Sequence, residues 1–213
     1  VSTMPSPRSV FDRPAEEAAP LLLGAVLRRA GEHGTVAVRL TEVEAYSGEG
    51  LDPGSHAHRG KGKRNAVMFG PSGHLYTYFT YGMHVCANVV CLPEGRAAGI
   101  LLRAGEIIEG EEAARERRGS AVPFRDLARG PARLATALGI PLSDGGADLF
   151  AEPYDLELPW HAPAHATSAR TGVSGEGGSD AFPWRFYLPG DATVSPYRAH
   201  IPKRRSLPPL WQE

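Results

Sequence analysis

The stretch GHLYTYFTYGMHVCANVVC, Gly73 to Cys91, does most to limit what this chain can fold into. Two runs rich in aromatic and β-branched residues flank Tyr81-Gly82, the pattern of a β-hairpin. AAGILLRA (97 to 104) follows as a further strand, with Arg103 ending an apolar run. VAVRLTEVEAY closes an earlier strand running from Thr35 to Tyr46, and Trp184 to Leu188 reads as a last one. Helical patterns are fewer. One starts at Asp12 or Pro14 and runs to about Arg29, with Pro20 breaking or kinking it. A second spans Glu106 to Arg118, acidic at its start and basic at its end, which suits the helix dipole. ARLATALG (132 to 139) is a third, short helix. Strands that outnumber helices and adjoin through hairpins predict an α+β fold. The expected architecture is a mostly antiparallel curved sheet with flanking helices and a protruding hairpin. Residues 1–213 are expected to form a single domain, with no order assigned to the first ten.

The strand ending in TEVEAY poses a question of sidedness. Alternate residues share a strand face. Val36, Val38 and Leu40 mark one face as apolar, and the same register puts Glu42, Glu44 and Tyr46 on it. Either a pair of carboxylates is aimed at the buried side, or a bulge near Thr41 turns them away from it. A carboxylate withdrawn from bulk water can serve as a general base.

Charge is distributed unevenly. No Asp or Glu occurs from Pro53 to Pro93, whereas Arg59, Lys61, Lys63 and Arg64 fall there. Arg198, Lys203, Arg204 and Arg205 form a second basic cluster, although the whole chain carries a formal charge of −1. Tyr46, Tyr76, Tyr78 and Tyr81 border the acid-free segment. Aromatics interleaved with Arg and Lys can form a stacking platform for bases, and a basic face on a neutral protein suits nucleic acid. Core packing and solvated loops account for the same residues without a ligand.

Other chemistries fit poorly. His56 and His58, with Cys86 and Cys91, lack the spacing of a metal site, and no deaminase signature is present. There is neither a G-x-S-x-G elbow nor a G-x-x-x-x-G-K-[ST] loop. The three lysines, Lys61, Lys63 and Lys203, sit in basic stretches and not in apolar ones that would favour a Schiff base. Two cysteines suggest a reducing cytosol. No apolar run approaches a membrane span, and VSTMPSPRSVFDRP lacks the pattern of a signal peptide.

Taken in order, TEVEAY, SHAHRGKGKRNAVMFG, GHLYTYFTYGMHVCANVV and GILLRA resemble the alkyladenine (3-methyladenine) DNA glycosylase family. LARGPARLATALGI, RTGVS and WRFYLPG extend the resemblance over most of the chain. The resemblance implies a monofunctional enzyme that flips alkylated or deaminated purines out of duplex DNA and hydrolyses the glycosidic bond without metal or cofactor. By motif, Glu44 is the base for the attacking water, with Arg103 and a main-chain carbonyl near Thr171 holding it. Tyr46 and Tyr78 would sandwich the flipped base, His56 would line the pocket, with His58 its rival, and Asn88 would screen against guanine. Tyr81 and Met83 would enter the duplex, and Arg59, Lys61, Lys63 and Arg64 would meet its phosphates. The expected partner is double-stranded DNA with damaged purines, bound by a monomer. Two rival readings remain: a non-catalytic nucleic-acid binding module, and a metal-dependent hydrolase using His56 and His58.

Overall fold

The computed structural model describes residues 7–80 and 82–202. Tyr81 and the basic residues Lys203, Arg204 and Arg205 therefore lie outside the described residues, as do residues 1–6.

The chain opens with a 3-10 helix, Pro7–Asp12, a single turn of α-helix α1 (Ala15–Ala18) and a second 3-10 turn, Ala19–Leu22. Strand β1 follows at Val26–Gly31, where the sequence pattern suggested helix through Arg29. Two features stop that helix. Pro20 removes a donor and crowds the preceding turn. Gly24 then takes a left-handed φ of +80° and reverses the chain. The freed residues pair with β2 (Gly34–Tyr46), Val26 opposite Arg39 and Gly31 opposite Gly34.

Strands β3 (Leu75–Thr80) and β4 (His84–Cys91) form the expected hairpin. At its tip Gly82 has φ +71°, a conformation that favours glycine. Side chains near the tip are exposed, Phe79 at 45% and Met83 at 70%. Strand β5 runs from Ala98 to Glu109, five residues beyond the sequence expectation. Residues 106–109 are strand because Ile107 is buried in the core and Glu106 pairs across to Arg39 at 2.7 Å. Gly110, at φ +74°, lies against the Thr35 carbonyl where a Cβ would collide, and it ends the strand. Helix α2 is thus shorter, Glu111–Arg118, but keeps its acidic start and basic end. Helix α3 (Pro131–Leu138) stands where expected. Three short strands, β6 (Tyr154–Glu157), β7 (Ala166–Ser168) and β8 (Arg185–Tyr187), complete the sheet.

All pairings are antiparallel, in the order β3-β4-β5-β2-β1-β6, with β8 joining β2 and β7. This is an α+β fold. The helices pack on one face over the main core, which contains Leu27, Val38, Leu102, Leu134 and Leu138. A smaller cluster on Tyr76, Met68 and Phe69 lies apart from it. Among the described residues no helix is long and apolar enough to cross a membrane.

The long strand β2 settles its own sidedness. Leu40 pairs with Gly105 and Glu42 with Ala104, which leaves Thr41 as an extra, bulged residue. Val36, Val38 and Leu40 face the core before the bulge, and Val43 and Ala45 do so after it. The parity has flipped. Glu42, Glu44 and Tyr46 consequently project from the face opposite the main core. A second irregularity leaves Arg103 extra on β5, between the pairs Glu42–Ala104 and Val43–Leu102.

Candidate active site

These two bulges put a four-membered ionic network under the floor of a cleft. Glu42 and Glu44 are fully buried. Arg103 reaches both, with Nε donating to Glu42 Oε1 at 3.0 Å and Nη1 to Glu44 Oε2 at 3.4 Å. Arg185, carried by β8, donates from Nε to Glu42 Oε1 at 2.6 Å. The Ser195 N–H donates to Glu42 Oε2 at 2.7 Å. Two carboxylates and two guanidinium groups balance in charge, the condition under which such burial is tolerable. Burial opposes the charge on Arg103, but Glu44 and Glu42 outweigh it and raise its pKa above the usual arginine value.

The two glutamates are not equivalent. Glu42 accepts from Arg103, Arg185 and Ser195, of which only Arg103 lines the cleft, so it is an anchor. Glu44 Oε2 accepts from Arg103 and from the Tyr46 hydroxyl at 2.9 Å, while Oε1 accepts, among the described residues, only the Thr171 N–H at 2.7 Å. A carboxylate oxygen can take about two hydrogen bonds, so Glu44 Oε1, like Glu42 Oε2, retains capacity for one more donor, but only Glu44 has all of its donors on the cleft wall. Burial first, and then the neighbouring Glu44 charge, push the Tyr46 phenol well above its usual range. It therefore stays protonated and donates. Glu44 itself lies just below the cleft surface, and three of its donors, Tyr46, Arg103 and Thr171, line the cleft above it.

That cleft has a volume of about 1060 Å³, and its walls include His56, Tyr76, Tyr78 and Asn88. The Tyr76 and Tyr78 rings stack with centroids 5.6 Å apart. His56 meets the Tyr78 ring edge-on at 4.5 Å, and its Nδ1 lies 3.1 Å from the Tyr76 hydroxyl. Asn88 is buried and donates from Nδ2 to the Tyr76 carbonyl at 3.1 Å. Desolvation by these rings, and next the charge of Arg64, hold the His56 pKa below its ordinary 6.5. The imidazole is accordingly neutral at neutral pH. Arg64→Gln is expected to raise the His56 titration midpoint toward that value, followed by NMR; an unchanged midpoint would leave desolvation as the sole cause.

His58 is not among the cleft-lining residues, and its buried Nδ1 has no hydrogen-bond partner among the described residues. Cys86 lines the cleft, while Cys91 belongs to the main core. Among the described residues no three His, Cys, Asp or Glu side chains converge as metal ligands would.

The acid-free loop after β2 is held by Asn65, whose Nδ2 donates to the carbonyls of His56 and Gly60 at 2.8 and 3.0 Å. Its Oδ1 accepts the Gly62 N–H at 2.6 Å. Arg59, Lys61, Lys63 and Arg64 are exposed along this loop and border a second hollow of about 380 Å³ beside His56 and Tyr76. Arg64 also reaches the hairpin, donating to the Phe79 carbonyl at 2.9 Å. Of the two residues expected to enter a duplex, Met83 stands exposed on the hairpin tip and Tyr81 lies outside the described residues.

Sequence reasoning left several contributors without roles. Arg170 and Asp52 form a fully buried bidentate pair, Nη1 to Oδ2 at 2.6 Å and Nη2 to Oδ1 at 2.7 Å. Arg170 also donates to the carbonyls of Ala45 and Gly177, and lies under the Tyr46 ring at 4.5 Å. Glu42, noted in the sequence as the companion of Glu44, had no role of its own, and Arg185 and Ser195 were missed. Arg170 and Glu42 stand beside recognised residues in RTGVS and TEVEAY, but nothing local says which partners they meet.

The sequence model of the family described as Methylpurine-DNA glycosylase (MPG) matches residues 9–192. A protein of Leifsonia xyli subsp. xyli is 60% identical over 197 residues, covering 91% of this chain and 92% of its own. One from Streptomyces avermitilis is 55% identical over 206 residues, covering 94% and 95%, and one from Nocardia farcinica is 52% identical over 197, covering 89% of each. All three carry the name "Putative 3-methyladenine DNA glycosylase". With the match running across nearly the whole chain and its motifs gathered around one cleft, this chain belongs to the methylpurine-DNA glycosylase family, hydrolases that act on DNA.

Proposed function

We propose that this protein is a monofunctional, metal-independent glycosylase of DNA repair that removes alkylated or deaminated purines from duplex DNA as a monomer. The observation that carries this reading is the Glu44 carboxylate, held by Tyr46, Arg103 and the Thr171 N–H directly below an aromatic cleft. A damaged nucleotide swings out of the stack at a cost of a few kcal/mol, least for weakly paired bases. Stacking on Tyr46 and Tyr78 offsets much of it, at roughly 1–3 kcal/mol per base contact. The hairpin tip with Tyr81 and Met83 fills the gap in the duplex, as apolar wedges do elsewhere. Arg59, Lys61, Lys63 and Arg64 meet phosphates, so affinity falls steeply with salt. Asn88, fixed against the Tyr76 carbonyl, crowds the exocyclic amino group of guanine.

In the chemical step the bond from C1′ to the purine nitrogen breaks and its electron pair leaves with the base. A water oxygen bonds to C1′ and gives one proton to Glu44. The anion also stabilises the oxocarbenium-like sugar that develops, as in glycoside hydrolysis generally. Arg103 and the Thr171 carbonyl orient that water. No described lysine lines the cleft, which supports hydrolysis in place of Schiff-base chemistry and strand cleavage.

Base release from methylated and hypoxanthine-containing duplexes, with and without EDTA, tests the reading. Free base from at least one duplex, undiminished by EDTA and without strand scission, is expected. Binding without release would make the chain a non-catalytic module, and loss of release on chelation would restore the metal hydrolase.

A further inference from the structure

The match to the family model ends at residue 192, and the segment that follows is fastened to the back of the site. The Thr193 and Thr41 hydroxyls lie 2.8 Å apart at the β2 bulge, and Arg129 Nε donates to the Val194 carbonyl at 2.8 Å. Ser195 is buried, and each of its polar groups meets the ionic network. Its N–H donates to Glu42 Oε2 at 2.7 Å, its carbonyl accepts from Arg185 Nη2 at 2.8 Å, and its Oγ accepts from Arg103 Nη2 at 3.3 Å. Three residues on, the Arg198 carbonyl accepts the Gly172 N–H at 2.8 Å, next to the Thr171 N–H that holds Glu44. The segment thus grips both the arginine and the loop that hold the Glu44 carboxylate.

The guanidinium of Arg103 is a rigid planar fork. Its Nε and Nη2 share one edge, held by Glu42 and Ser195, while Nη1, off that edge, reaches Glu44. The Nη1 to Glu44 distance is 3.4 Å, near the limit of a hydrogen bond, so a small turn of the plane loses it. Held at Nε alone, the plane would pivot on the Glu42 bond. The second hold on that edge comes from Ser195 Oγ. We propose that Ser195 is a positioning residue for base excision, whose hydroxyl fixes the plane of Arg103 so that Nη1 keeps its place beside Glu44 and the attacking water. This inference rests on the roles given to Glu44 and Arg103 above. Ser195 is not among the cleft-lining residues, so it acts on the reaction through Arg103, as an orientational contribution to the rate and not to substrate affinity.

Ser195→Ala removes the hydroxyl but keeps both backbone contacts; Ser195→Thr keeps the hydroxyl. In single-turnover excision below the melting transition, Ser195→Ala is expected to be about tenfold slower, with affinity for a lesion duplex within about twofold. Ser195→Thr should restore most of that rate. An Arg103→Lys background supplies the readout that a structural role would not move. A lysine has no edge to hold, so Ser195→Ala should cost less than about twofold there, a coupling that a double-mutant cycle measures. Wild-type rate in Ser195→Ala would overturn the proposal, as would the same fractional loss in both backgrounds. So would a Ser195→Thr that melts like the wild type and excises as slowly as the alanine variant. Wild-type rate in Arg103→Lys or in Glu44→Gln would sink the underlying mechanism instead, so the two failures are distinguishable.

Discussion

Glu44→Gln is expected to lose at least about a hundredfold, and up to about ten-thousandfold, in the rate of base release, the range that a positioned general base contributes. Affinity for a lesion duplex should stay within a few fold, because Tyr46, Tyr78 and His56 are untouched. The amide has the size of the carboxylate and can still accept from Arg103 and Tyr46 through its oxygen. It cannot take a proton from water, and it carries no negative charge to balance a developing sugar cation. Its NH₂ group would face the Thr171 N–H where Oε1 accepted at 2.7 Å, so some stability will be lost too. Release must therefore be measured below the melting transition, under single-turnover conditions that separate chemistry from binding. A variant that releases base at the wild-type rate would remove Glu44 from the reaction. Glu42 offers the contrast. Its partners are Arg103, Arg185 and Ser195, so its loss disorders the arginine that touches Glu44 and acts on the reaction through that arginine alone.

The pleat already tied Glu44 to Tyr46, because residues two apart on a strand share a face. Which side of the sheet they faced could not be read locally, since the deciding bulge at Thr41 depends on how β2 registers with β5. The hairpin was legible because both of its strands and its turn are contiguous. Strand β1 was not, although it too joins β2 in a contiguous hairpin closed between Gly31 and Gly34: its sequence also fits a helix, and pairing with β2 and β6 overrides that fit. The same competition moved the start of α2 from Glu106 to Glu111, where burial of Ile107 outweighed helical periodicity. Partner identity was least accessible. Arg185 meets Glu42 across 143 positions and Arg170 meets Asp52 across 118, distances at which one sequence carries no pairing signal.

Asp52→Ala is expected to be the most damaging substitution away from Glu44. It leaves the guanidinium of Arg170 charged and buried with no counter-ion, a change that typically costs about 3–5 kcal/mol. For a chain of this size that corresponds to a fall of about 6–20 °C in melting temperature. Asp52 also accepts the N–H groups of Ser47 and Gly54, at 3.0 and 2.8 Å, so the loop leaving β2 loses its fastening as well. Replacing both partners would not rescue the site, as replacing a buried ion pair by apolar residues sometimes does. Arg170 additionally satisfies the carbonyls of Ala45 and Gly177, and those would remain buried and unpaired. The consequence reaches the chemistry through geometry. Arg170 supports the Tyr46 ring from beneath at 4.5 Å and immediately precedes Thr171, whose N–H holds Glu44. In Asp52→Ala, excision measured well below the new melting transition should therefore fall together with affinity for the lesion. A variant with wild-type stability would show that the pair is dispensable. Full excision by the folded fraction of a destabilised variant would confine Arg170 and Asp52 to holding the fold, with Tyr46 and Glu44 placed by the sheet alone.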